Sequence, residues 1–189
     1  MANEFNLNRP RFLDGERLFL TPYLIEDMDK HFQWRNDYEL LFYDGGNIRP
    51  KTQVAVKERL ERVLKDKSQI PLSIILKESG EHIGLIVIYA IDERQRYCSW
   101  GIILDSQYHQ KGYGKQAARL IIDYVFLDLG FQRLKSDTHE KNIPSQRLQE
   151  SLGFVKEGVL RNEKYIRGKY VNDIIYGMIR EDYDRNYGK

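Results

Sequence analysis

The sequence predicts an α+β fold: a mixed, mostly antiparallel central sheet with flanking helices and one central parallel crossover. Three observations carry this. Strand-like runs at Leu72 to Lys77, His82 to Ile91 and Arg96 to Leu104 follow one another across the short turns Glu78-Ser79-Gly80-Glu81 and Asp92-Glu93-Arg94. Connections that short force antiparallel hairpins, because a parallel crossover needs a dozen or more residues. A long amphipathic stretch, Gly112 to Leu129, then separates the last of these runs from another, Leu134 to Thr138. A right-handed helical crossover places that strand parallel to Arg96–Leu104.

The elements follow in order. Arg17-Leu18-Phe19-Leu20-Thr21 is a strand stopped by Pro22. Leu24, Met28 and Phe32 recur at helical spacing, with Ile25 and Trp34 beside them, and predict a short helix. Tyr43-Asp44-Gly45-Gly46-Asn47-Ile48-Arg49-Pro50 is dense in turn residues and reads as an exposed loop. Thr52 caps a second helix with the apolar stripe Val56, Leu60, Val63 and Leu64, and the charged residues between Lys57 and Lys67 read as its solvated face. In the long helix Ala117, Leu120, Ile121, Tyr124 and Val125 share a face, and Gly130 ends it. Asn142 has the chemistry of an N-cap, Pro144 fits the first turn, and Gly153 stops a helix running to Leu152. Strands near Phe154–Leu160 and Val171–Arg180 flank the turn Arg167-Gly168-Lys169. The predicted order is β-α-α-β-β-β-α-β-α-β-β.

Composition narrows the class. The 189 residues suit one domain spanning 1–189, and 41% hydrophobic with 31% charged residues is ordinary for a folded soluble protein. The apolar run Gly84-Leu85-Ile86-Val87-Ile88 is too short to cross a bilayer, and MANEFNLNRPRF has no apolar signal core. One cysteine excludes an internal disulfide framework, and four scattered histidines argue against a structural zinc site, so no metal is expected. A net charge of +2 provides no footprint for nucleic acid. The expectation is a soluble, cytoplasmic protein that needs neither membrane nor nucleic acid as partner. Cys98 reads as a small buried hydrophobe, Trp34 and Trp100 as core, and His31, His82, His109 and His139 as structural or solvent-facing.

The densest chemical signal is Gln110-Lys111-Gly112-Tyr113-Gly114-Lys115-Gln116-Ala117, after a strand and opening a helix. Unpaired amide groups and the positive end of the helix dipole make such a turn an anion site. Gly112 and Gly114 remove side chains where a phosphate approaches the backbone, and Lys111 and Lys115 add positive charge. The alternative is a plain glycine-containing loop with two solvated lysines. A Walker A loop fails, because Gly114-Lys115 is followed by Gln116 instead of Ser or Thr. Gly112-x-Gly114-x-x-Ala117 matches a Rossmann fingerprint, but the glycines lie well past the strand end and antiparallel hairpins precede them.

Gln110-Lys111-Gly112-Tyr113-Gly114 also resembles the Q/R-x-x-G-x-G/A acetyl-CoA loop of the GNAT N-acetyltransferase superfamily. Trp100 to Tyr108 is similar to the strand and connector that precede that loop, and Asn142-Ile143-Pro144-Ser145 followed by Leu152-Gly153-Phe154 resembles the N-x-x-S…L-G-F segment. Lys156 to Arg161 and Ile166 to Asp173 resemble the carboxy-terminal part of the RimJ/RimL-type branch, the ribosomal-protein-alanine N-acetyltransferase-like proteins. The resemblance covers about residues 15–185 and implies the GNAT fold, with a splayed parallel strand pair at its centre.

It also implies a site. Acetyl-CoA lies along the backbone of Ile102, Ile103 and Leu104, its pyrophosphate is held by the N–H groups from Gln110 through Lys111, Gly112, Tyr113 and Gly114 to Lys115, and an amine attacks the thioester directly. Ser145 stands where relatives place a serine near the sulfur, as a donor to the leaving thiolate or as a first-turn hydroxyl bonding the backbone. Asn142 serves the helix cap, the cofactor or both. The residue that is a tyrosine in polyamine acetyltransferases is Gln149 here, which argues against a tyrosine acid and a polyamine acceptor. Ser99 stands where many relatives have a glutamate, so the base is open among water, Asp44 and Glu163. The loop from Tyr43 to Gly46 lies over the acceptor groove. The implied function is acetyl transfer to a primary amine, a protein N-terminal α-amino group by the branch resemblance. A small molecule (polyamine, amino acid or aminoglycoside) and a CoA sensor without turnover are the alternatives. Exposed sheet edges make a homodimer possible.

Overall fold

The computed structural model describes residues 6–45 and 49–188, so the predicted loop residues Gly46, Asn47 and Ile48 lie outside the described residues. The chain opens with β1 (Leu13–Asp14) and β2 (Leu18–Pro22), a 3-10 turn over Ile25–Asp27, then α1 (Met28–Trp34), α2 (Tyr38–Tyr43) and α3 (Gln53–Lys65). Three antiparallel strands follow: β3 (Ile70–Leu76), β4 (His82–Asp92) and β5 (Tyr97–Leu104). Helix α4 (Tyr113–Asp123), continued by a π turn over Tyr124–Asp128, crosses to β6 (Arg133–His139). Then come α5 (Ile143–Ser151), the long hairpin of β7 (Val155–Ile166) and β8 (Lys169–Ile179), and α6 (Arg180–Tyr187). Among the described residues the strands form one eight-stranded sheet, ordered β1-β2-β3-β4-β5-β6-β8-β7, in which β5 and β6 are the parallel pair. Among the described residues no helix is long and apolar enough to cross a membrane.

Side-chain alternation along the strands divides the molecule into two unlike faces. Ile86 and Ile88 of β4, Cys98 and Trp100 of β5 and Leu134 of β6 join Ala117, Ala118, Ile121 and Ile122 of α4 in the larger apolar core. The other face is thinner: Tyr23, Trp34, Val56, Leu60 and Leu85 make a small cluster under α1 and α3. Beside that cluster sits a buried polar network. Arg9 donates to both oxygens of Asp27 at 2.9 and 2.8 Å, Ser73 donates to the same carboxylate at 2.7 Å, and His82 Nδ1 lies 3.4 Å from it.

The predicted elements are present, and the structure adds three. β1 holds too few residues for any periodicity to show. α2 is one and a half turns, made possible by Asp37, whose carboxylate accepts from the Glu39 and Leu40 amides. α6 reads as polar, and it docks through Tyr183, whose ring stacks on Phe126 at 4.8 Å. The carboxy-terminal strands also run further than Leu160 and Val171, carrying the hairpin out to its turn at Arg167 and Gly168.

Candidate active site

The sheet opens at its centre. Strands β5 and β6 pair only through Tyr97–Arg133, Cys98–Leu134 and Ser99–Lys135; beyond them β5 stays with β4, and β6 stays with β8. The Asp105 amide donates to the Ile83 carbonyl at 2.9 Å, which sets the phase of the β4–β5 ladder. Alternation then commits the backbone of Ile103 to β4 and turns the N–H and C=O of Ile102 and Leu104 into the opening. The Leu104 carbonyl bears this out by accepting from His109 Nε2 at 2.8 Å. Of the three predicted backbone contacts, two therefore face the opening, while Ile103 contributes its side chain to the lining.

A cleft of about 1020 Å³ runs through this opening. On one face of the sheet it is lined by Gln110, Gly112, Gly114 and Lys115 of the glycine turn and by Ser145, Arg147 and Leu148 of α5; on the other by Arg35, Tyr43 and Asp44. The two helix layers meet the same passage from opposite sides.

The glycine turn is built by two left-handed residues, Gln110 at φ 59° and Gly112 at φ 83°. Gly112 is the N-cap of α4, and the first helical bond runs from the Gln116 amide to the Gly112 carbonyl. The N–H groups of Tyr113, Gly114 and Lys115 thus have no helical partner. The two glycines are needed for different reasons. Gly112 is conformational, whereas a Cβ on Gly114 would meet only Ile102 and Leu148, at 3.9 and 4.0 Å, so its role is open space beside the cleft. Lys111 and Tyr113 are not brought to the cleft by their side chains. Arg17, which sequence reasoning missed, donates to the Lys111 carbonyl at 2.9 Å and lies 4.6 Å over the Tyr113 ring, while Lys111 lies 5.3 Å from the Tyr108 ring centre.

Asn142 uses both of its polar groups within the fold: Oδ1 accepts from the Ser145 amide at 3.0 Å, and Nδ2 donates to the Tyr43 carbonyl at 2.9 Å. It lines the cleft as a strut that ties α5 to the end of α2. His139 repeats the device, with Nε2 donating to the Phe42 carbonyl at 2.9 Å. Burial keeps His139 below the ordinary histidine range. The Ser145 hydroxyl lines the cleft and makes no hydrogen bond among the described residues. Two deeply buried polar atoms on the cleft wall also have no partner there, Trp100 Nε1 and Gln149 Oε1, although Gln149 Nε2 reaches the Ser136 hydroxyl at 2.6 Å. Burial alone pushes the Cys98 thiol up to about 12, consistent with an inert core side chain.

Of the acids considered from sequence, Asp44 lines the cleft, ion-paired to Arg35, and Glu163 does not. Asp137, which the sequence reading did not single out, lines the cleft as well. It stands on β6 just past the last β5 pair and accepts from Lys164 at 3.1 Å. Lys164 also reaches Asp173 at 2.9 Å, and burial raises the Asp173 carboxyl despite that contact. The available signal was parity: Asp137 and His139 alternate with the core residue Leu134 and so face α2.

A splayed parallel pair, a glycine turn opening a helix at its edge and a passage joining both faces form one arrangement, and the family comparison agrees with it. The model described as Acetyltransferase (GNAT) domain matches residues 17–155. The chain belongs to the GNAT acetyltransferase family. As a GNAT protein it is an acetyl-CoA-dependent N-acetyltransferase. It is 31% identical over 172 residues to the uncharacterized N-acetyltransferase p20 of Bacillus licheniformis, covering 89% of this chain and 96% of that one. Over 130 residues it is 28% identical to the spermidine N(1)-acetyltransferase of Escherichia coli K12, covering 69% of each. The fold is similar to that of a Vibrio cholerae spermidine N-acetyltransferase solved with CoA and spermine, with TM-score 0.82 and 20% identity over 88% of this chain and 98% of that one.

Proposed function

We propose that this GNAT protein transfers the acetyl group of acetyl-CoA to a small primary amine, the thioester entering from the α4–α5 face and the amine from the α1–α3 face. The observation that carries this is the passage at the β5–β6 splay, with unpaired helix amides at one end and the Asp137–Lys164 pair at the other.

The residues fit a CoA substrate. The amides of Tyr113, Gly114 and Lys115, with the Lys115 and Arg147 cations, hold the pyrophosphate. Trp100 Nε1 is an unmet donor and Gln149 Oε1 an unmet acceptor, which together match one amide group of a pantetheine arm. Acetyl-CoA supplies the activated acyl thioester. The Ile102 amide, turned into the splay, holds the acetyl oxygen and stabilises the charge that develops there. An alkylamine has a pKa of about 10.4 and arrives as the ammonium ion, so Asp137 takes one proton from it, directly or through water. The amine nitrogen then bonds to the acyl carbon, the C–S bond breaks, and the Ser145 hydroxyl hands its proton to the departing thiolate, regaining one as the amide nitrogen loses its own.

A second reading is an α-amino group at a protein terminus, and the RimJ/RimL-like motifs at Lys156–Arg161 and Ile166–Asp173 favour it. Edge strand β7, with Val155, Val159 and Leu160 exposed, supports the homodimer as part of the same proposal. The test is thiol release from acetyl-CoA with a panel of small amines and of peptides with free termini. Turnover of the small amines supports the first reading and turnover confined to peptides the second; background rates throughout, with acetyl-CoA bound, leave a CoA sensor.

A further inference from the structure

On the α1–α3 face the passage adjoins a second chamber of about 470 Å³, sharing Arg35, Asp44, Tyr89 and Ile103 with the cleft. The charged side chains that line it are Arg35, Arg59 and Asp44. Asp44 is already ion-paired with Arg35, whose side chain is 13% exposed. Arg59 has no hydrogen bond or ion pair among the described residues. The chamber therefore carries a net positive charge with one guanidinium unmet, and the titratable groups within it respond accordingly. Burial and the neighbouring Arg35 hold Arg59 below the ordinary arginine value against the attraction of Asp44, and burial together with Arg35 and Arg59 drives His31 down to about 4, so His31 adds no charge and accepts protons poorly.

The far side of Tyr89 has the opposite character, for there Lys164 is shared between the carboxylates of Asp137 and Asp173. An acceptor lying past Tyr89 meets carboxylates where its amine belongs and a guanidinium where its remainder lies. A polyamine would bring ammonium groups into a chamber whose single carboxylate already faces two guanidinium groups, ion-paired with Arg35 and attracting Arg59. An amine with an anionic group gives Arg59 the hydrogen-bonded ion pair it otherwise lacks among the described residues, and a carboxylate matches the guanidinium fork.

Resting on the transferase reading above, we propose that the acceptor is a primary amine bearing a carboxylate, an amino acid in the broad sense, whose carboxylate is held by Arg59 while its nitrogen lies at the Asp137 end of the passage.

The test is calorimetric titration, with and without saturating CoA, of amino acids with α- and ω-placed amines, each beside its methyl ester, together with spermidine and phosphoethanolamine. The acids are expected to bind at least about tenfold tighter than their esters. R59Q is expected to bring the acid-to-ester ratio to about one, and R59E to invert it, with melting temperatures within about 2 °C of the parent because Arg59 lies on an open helix face. Equal affinity of acid and ester, preference for spermidine or phosphoethanolamine, no binding by any acid, or an acid-to-ester ratio that R59Q leaves intact would each overturn the proposal. Acetyl-CoA is titrated in the same series. Its failure to bind sinks the transferase reading, whereas its binding without acid preference sinks only the assignment of the acceptor.

Discussion

The two faces of the sheet are held together differently, and under the proposed function the difference follows the two substrates. The α4–α6 face is a large apolar core bordered by the glycine turn, whose unpaired polar groups are backbone amides. The α1–α3 face has a small apolar cluster and depends on buried ionisable groups: Asp27 with Arg9 and His82, His31 beneath α3, and Lys164 between two carboxylates. A CoA tail is the same molecule for every family member and can be met by amides fixed in a helix. An acceptor varies, and its recognition is written in side chains that can change without disturbing the core.

The largest test of this contrast is Gly114→Glu. It places a carboxylate at the mouth of α4 where a Cβ has room, so acetyl-CoA affinity is expected to fall by about a hundredfold or more in calorimetric titration, with the circular dichroism spectrum and melting temperature retained. Gly112→Ala is the contrasting variant: at φ 83° its cost of about 1–2 kcal/mol is paid in unfolding free energy. On the α1–α3 face, Asp137→Asn is expected to lower kcat/KM for the amine about a hundredfold, with the KM for acetyl-CoA nearly unchanged. Ser145→Ala comes next, with kcat reduced about tenfold and little effect on the acetyl-CoA KM; an unchanged kcat removes Ser145 from the chemistry.

Two smaller effects concern stability. Asn142→Ala removes the α5 cap and the strut to Tyr43 together and is expected to cost about 1–2 kcal/mol in denaturant unfolding. The buried histidine provides a pH test. Because His31 is depressed to about 4 by burial, Arg35, Arg59 and His82, the unfolded chain binds a proton that the folded chain refuses. Its contribution is complete above about pH 6.5 and is lost as pH falls toward the folded value, on the order of 2 kcal/mol between pH 7 and pH 5. His31→Gln should make that part of the stability curve shallower; an unaltered curve would place the acid sensitivity elsewhere.

How legible each face was follows from how local its chemistry is. The glycine turn, Asn142 and Ser145 each lie within one short segment whose spacing carries the geometry, and all of them reach the cleft or its frame. The α1–α3 face resisted because Arg35, Arg59, Asp137 and Lys164 come from four segments far apart in the chain. Arg59 is exposed on the charged face of α3, as the sequence predicts; what the charge pattern did not show is that it also borders the second chamber. That was accessible in principle, since Arg59 falls between Val56 and Val63 at the border of the apolar stripe. Lys111 shows the same dependence on distant residues: Arg17, far away in sequence, engages its carbonyl, and its ammonium lies 5.3 Å from the Tyr108 ring centre.

By itself the sequence determined the strand and helix order, the parallel crossover and the glycine turn that opens α4, because hairpin length, helical period and glycine placement act within a dozen or so residues. Only the tertiary structure decided how far β5 and β6 stay paired, which amides turn into the gap, and which charges face each other across it. Those depend on strand register and on the packing of two helix layers, and a register shift of one residue would turn every one of those side chains to the other face.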